Sequence, residues 1–100
     1  MIKDCSVHCI FATITPKPQY FKYAKKAILG ILGATRKEEG CLQFDVHTNQ
    51  SETQLFLYEQ WQDESALEQH YQQDYTKQVF TAYQDWLAEP VEIKTMALLK

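Results

Sequence analysis

The chain has 100 residues, 45% of them hydrophobic and 13 aromatic, with a formal net charge of −3 and a pI near 5.5. That length is one domain, taken as residues 1–100. The acidic balance gives no field for nucleic acid or anionic lipid, and every apolar run is far shorter than the ~20 residues of a membrane span.

The opening MIKDCSVHCIF lacks the continuous apolar stretch and cleavage site of a signal peptide, so the expected location is the cytoplasm. Three cysteines, Cys5, Cys9 and Cys41, are an odd count that argues against a disulfide framework. Cys5 and Cys9 would share a strand face with His8 on the other. Zinc sites use tighter cysteine pairs, so these thiols read as inert and buried, with no metal expected.

Cys5 to Thr15 is rich in β-branched and apolar residues and predicts a first strand, stopped by Pro16-Lys17-Pro18. Helical spacing then runs from Tyr20 to Arg36, with Tyr20, Tyr23, Ala24, Ala27, Ile28, Ile31 and Leu32 on one face and Lys22, Lys25 and Lys26 largely opposite. Gly30 and Gly33 weaken that helix and have a spacing suited to close packing on a sheet. Gly40 suits a turn of positive φ. Cys41 to Thr48 predicts the second strand, with Leu42, Phe44 and Val46 on one face and Gln43, Asp45 and His47 on the other.

Asn49 to Glu52 is a polar turn, and Gln54 to Trp61 predicts a third strand, completing a hairpin. There Leu55, Leu57, Glu59 and Trp61 alternate with Phe56, Tyr58 and Gln60, the pattern of a sheet covered on both sides. Asp63 or Ser65 can cap a short helix through Tyr71. Asp74 to Ala88 forms another helix, with Val79, Phe80, Tyr83, Trp86 and Leu87 toward the core. Pro90 closes it, and Val91 to Leu99 alternates as a last strand. The order β-α-β-β-α-β predicts an α+β, ferredoxin-like fold, an antiparallel sheet with helices on one face. The other face, with Phe44, Phe56 and Tyr58 among its candidates, would stay apolar and open. A homodimer with facing sheets would cover it.

The runs EEGCLQFDV, LFLYEQW and DESALEQH resemble the antibiotic biosynthesis monooxygenase family of dimeric α/β-barrel proteins. The resemblance covers most of the chain and is strongest from Glu38 to His70. It implies a reaction class only broadly, since similar domains include quinol monooxygenases, oxygenases of aromatic polyketides, haem-degrading enzymes and an isomerase of a phosphorylated signal. The haem-degrading members need a histidine ligand where this chain has Phe80 and an asparagine near Phe11, and phenylalanine has no lone pair for iron. Many members carry a second histidine where this chain has Tyr75, a departure from any two-histidine mechanism.

Each candidate has a structural reading beside its functional one. His70 would share the core-facing side of Ala66 and Leu67, as a helix-end cap or, as the resemblance implies, a base for a phenolic proton. Trp61 is a core residue or a stacking surface for an aromatic substrate. Glu59 is an anchor at a sheet margin or a pocket residue. Asp45 and His47 share a strand face and could line the same pocket, while Tyr75 and Tyr83 could donate to a quinone oxygen. The expectation is a monooxygenase that needs no metal, flavin or haem and oxidises a quinol or polyphenol with dioxygen. An isomerase of a small phosphorylated or carbonyl metabolite is the first alternative, although Arg36 is the chain's single arginine. A non-catalytic small-molecule-binding dimeric module is the second.

Overall fold

The computed structural model describes residues 7–99. Four strands, β1 (His8–Ile14), β2 (Cys41–Thr48), β3 (Leu55–Trp61) and β4 (Glu92–Met96), form one antiparallel sheet in the order β2-β3-β1-β4. Four helices complete it: α1 (Phe21–Gly30), α2 (Leu32–Arg36), α3 (Glu64–Gln72) and α4 (Asp74–Trp86). The fold is the α+β ferredoxin-like arrangement. Cys5 lies outside the described residues.

Register decides which side chains meet. Ile10 faces Glu59, Ala12 faces Leu57 and Ile14 faces Leu55, while on the other side of β3 Phe44 pairs with Glu59 and Val46 with Leu57. These residues share the helix-covered face, because side chains alternate along a strand and paired positions point the same way. Phe44 is therefore in the core and not on the open face. Leu42 does not join it, since the pairing shifts between Cys41 and Gln43 and leaves Leu42 as an extra, exposed residue. The open face instead carries Phe11 stacked on Phe56 at 5.8 Å, together with Tyr58, Asp45 and His47.

The predicted Tyr20–Arg36 helix is two helices. A 3-10 turn over Pro18–Tyr20 leads into α1, and the backbone breaks at Ile31, whose ψ of 3° is off the helical value. Gly30 and Gly33 flank that break and are exposed, with nothing within 4 Å of an added Cβ, so they serve no sheet contact. Gly40 has no positive φ. It is needed for space, because a Cβ there would collide with the Cβ of Ala66 on α3. Asp63 caps α3 by accepting from the Ala66 amide at 2.9 Å. On α4, Val79 and Tyr83 enter the core, but Phe80 is 37% exposed. The last strand is shorter than expected, and each of its residues is exposed to some extent along the sheet edge. Among the described residues, no helix is long and apolar enough to cross a membrane.

Candidate active site

β3 sends Trp61 and Glu59 into the space between sheet and helices. Trp61 is completely buried and Glu59 is 4% exposed. A carboxyl this deep needs a partner, and the Trp61 Nε1–H donates to Glu59 Oε1 at 2.9 Å. Residues two apart on a strand share a face, so this bond is local and set by the sequence itself. Burial pushes the Glu59 carboxyl up to about 7. The Trp61 bond pulls it back only partly, and the neighbouring Glu38 adds to the rise. Glu59 is thus a group that can hold or release a proton near neutrality.

His70, in the last turn of α3, is 3% exposed. Its ring lies 4.8 Å from that of Trp61 and 5.7 Å from Phe44. Its Nδ1 sits 2.8 Å from Glu38 Oε2, and the same carboxylate oxygen accepts from the Tyr75 hydroxyl. Burial, then the bond to Glu38 and its charge, push the Tyr75 phenol well above its usual range, so it stays a donor. Nothing in the sequence marks Glu38 as a partner of His70, which lies 32 positions away.

Glu59, His70, Tyr71 and Thr76 line one cavity whose other walls include Phe44, Leu57, Val79, Phe80, Tyr83 and Ile93. Its volume of about 20 Å³ is room for roughly one water in this conformation. Thr76 is 1% exposed and its Oγ1 has no hydrogen-bond partner. Burial and the Glu59 charge raise the Tyr71 phenol to about 12. A larger hollow of about 550 Å³ lies elsewhere, along α1 between Lys22, Lys25, Lys26 and Glu52, and is a shallow surface feature without these groups.

The remaining sequence candidates separate. Tyr83 lines the cavity, but its hydroxyl donates to the Ala24 carbonyl at 2.7 Å, leaving a structural role for that group. Tyr75 meets His70 only through Glu38. Asp45 and His47 do not join the pocket at all: the β2–β3 register puts them on the opposite face, beside Tyr58 and Phe56. There Asp45 accepts from Gln43 at 2.6 Å and from Arg36 at 3.0 Å, which hold its carboxyl below the usual range. Arg36 also donates to the Phe44 carbonyl at 3.0 Å and so ties α2 to β2. Cys41 is half-buried, and burial followed by the charges of Glu38 and Glu59 raises its thiol pKa. Among the described residues, no three His, Cys, Asp or Glu side chains gather in a group that could hold a metal ion.

The sequence model of the antibiotic biosynthesis monooxygenase family matches residues 7–88. The chain belongs to this family. The same fold is seen in Rv0793 of Mycobacterium tuberculosis, with a TM-score of 0.90 and 22% identity over 95% of this chain and 97% of that one. PA3566 of Pseudomonas aeruginosa superposes equally well, with a TM-score of 0.90 and 25% identity over 99% of this chain and 100% of that one. A conserved protein of Methanosarcina mazei Go1 gives 0.84 and 26% over 93% of each chain. An uncharacterized Synechocystis protein, sll1783, is 34% identical over 61 residues, which are 60% of this chain and 42% of the relative. The chain therefore spans less than half the length of that relative.

Proposed function

We propose that this family member is a monooxygenase that oxidises a quinol or polyphenol with dioxygen, without metal, flavin or haem, and uses His70 as its base. The observation that carries this reading is the buried His70 ring, held at Nδ1 by Glu38, against Trp61 and on the same cavity as Glu59. His70 takes a phenolic proton, and the resulting anion gives one electron to dioxygen. The radical pair joins at a ring carbon, and loss of water leaves one oxygen atom on the ring. The quinol supplies all the electrons, so the protein's part is to orient, deprotonate and exclude water.

Trp61, expected from the sequence to stack on the substrate, lies behind the cavity wall, where it holds Glu59 and packs on His70, and Tyr71 and Glu59 complete the polar lining. Entry of a ring falls to Phe80 and Ile93, the exposed side chains of the outer wall, because the closed cavity holds only about one water. A second copy of the chain covers the open sheet face at Phe11, Phe56 and Tyr58, giving the homodimer that an apolar face of this kind favours. For the isomerase alternative, the described residues of the cavity lining include no lysine or arginine to anchor a phosphate, and Arg36 is engaged with Asp45 on the other side of the sheet.

The test is quinol-dependent oxygen uptake with no added metal. His70→Ala should reduce it at least tenfold, the scale of general-base loss being about 10²–10⁴. An unchanged rate removes His70 from the chemistry.

A further inference from the structure

We infer that Glu38 and Tyr75 are positioning residues for His70, fixing which ring nitrogen faces the substrate. This rests on the reading of His70 as the base. Glu38 leaves the turn between α2 and β2, His70 ends α3 and Tyr75 sits in the first turn of α4, so three separate elements converge on one carboxylate oxygen. That oxygen is only an acceptor when the carboxyl is ionised, and Tyr75 is one of its two donors. The other donor must then be Nδ1–H of His70. Nε2 is left as the lone-pair nitrogen, the one able to accept a proton from a bound phenol.

Burial makes the arrangement matter. The His70 side chain is 4% exposed and that of Glu38 is 10% exposed. A buried imidazole has two neutral tautomers, and without a fixed acceptor both would be populated. A carboxylate at Nδ1 selects one and also favours the imidazolium that forms when Nε2 takes a proton. Tyr75 holds the carboxylate from the far side and, through a longer contact of 3.4 Å to the Ala34 carbonyl, ties it to α2. The other titratable groups around this chain are Glu59 on β3, Tyr71 on α3 and Cys41 on β2. The Glu59 carboxyl and the Cys41 thiol both sense the Glu38 charge.

The two residues act in series: Glu38 fixes the His70 ring, and Tyr75 fixes Glu38. A purely structural role would leave the His70 tautomer unchanged when the Glu38 carboxylate is replaced by an amide.

The experiment compares wild type with Glu38→Gln, Glu38→Asp and Tyr75→Phe by nitrogen NMR of the His70 ring and by the kinetics of quinol-dependent oxygen uptake. Wild type should show the Nδ1-protonated tautomer. Glu38→Gln should mix the tautomers and lower kcat at least tenfold with KM within about twofold. Glu38→Asp should recover part of kcat, and Tyr75→Phe should lose part of it with KM unchanged. An unaltered tautomer in Glu38→Gln would overturn the assignment. If wild type consumes no oxygen, the oxygenase reading fails while the NMR arm still decides the tautomer. Should Glu38→Gln not fold, Tyr75→Phe with wild-type kcat and an unaltered ring spectrum overturns it instead.

Discussion

Replacing Glu59 with Gln should change how stability depends on pH near neutrality. The carboxyl lies almost wholly out of water, with one bond from Trp61, and is raised from an ordinary 4.5 to about 7. Below the lower value it is protonated in folded and unfolded chains alike, and nothing is lost. Between the two, the unfolded chain ionises while the folded one holds its proton, so stability falls as pH rises. Above about 7 both are ionised, and the folded state carries the full cost of a buried charge beside Glu38. At about 1.4 kcal/mol per pH unit, that cost is on the order of 3 kcal/mol. The amide of Glu59→Gln can still accept from the Trp61 indole and cannot ionise. Its stability relative to wild type should therefore rise by about 3 kcal/mol from roughly pH 4.5 to pH 8. Urea unfolding of both proteins across that range measures the difference curve. Two parallel curves would refute the reasoning and show that Glu59 titrates as a solvated carboxyl.

Other expected outcomes concern separate parts of the fold. Trp61→Phe keeps most of the apolar bulk but leaves Glu59 without its donor, so it should destabilise by about 1–3 kcal/mol in chemical denaturation. Gly40→Ala drives a Cβ into Ala66 and should cost about 1–3 kcal/mol by the same measurement, while Gly33→Ala, with open space around it, should be neutral or stabilising. Phe56→Asp should convert the proposed dimer to monomer in light scattering without loss of helix content, because its ring stacks on Phe11 on the open sheet face.

Periodicity carried most of the architecture. Strict alternation over Leu55–Trp61 put Glu59 and Trp61 on one face, and the register shows that face to be the one under the helices. The hairpin, the Asp63 cap and the closing helix followed from equally local signals. Phe44 was misplaced because a strand with apolar residues on both faces does not declare which face is covered. The irregularity at Leu42 further separates it from its apparent face-mates. Asp45 and His47 fell outside the pocket for the same reason. The break at Ile31 is invisible in a pattern that stays apolar at helical spacing through it. Glu38 was unreadable as a site residue, since it meets His70 and Tyr75 only through tertiary contact across more than 30 positions. Thr76 looks like any helix residue until its hydroxyl is found buried and unpaired on the cavity wall.

The proposed role of the cavity lined by His70 and Glu59 is to direct dioxygen onto an electron-rich aromatic substrate. Its most direct test is product analysis after turnover of a quinol under isotopically labelled dioxygen, with wild type and His70→Ala side by side. One labelled oxygen atom in the wild-type product, with at least a tenfold loss in the variant, is the predicted result. Unlabelled product, or labelled product formed equally fast without His70, would contradict it.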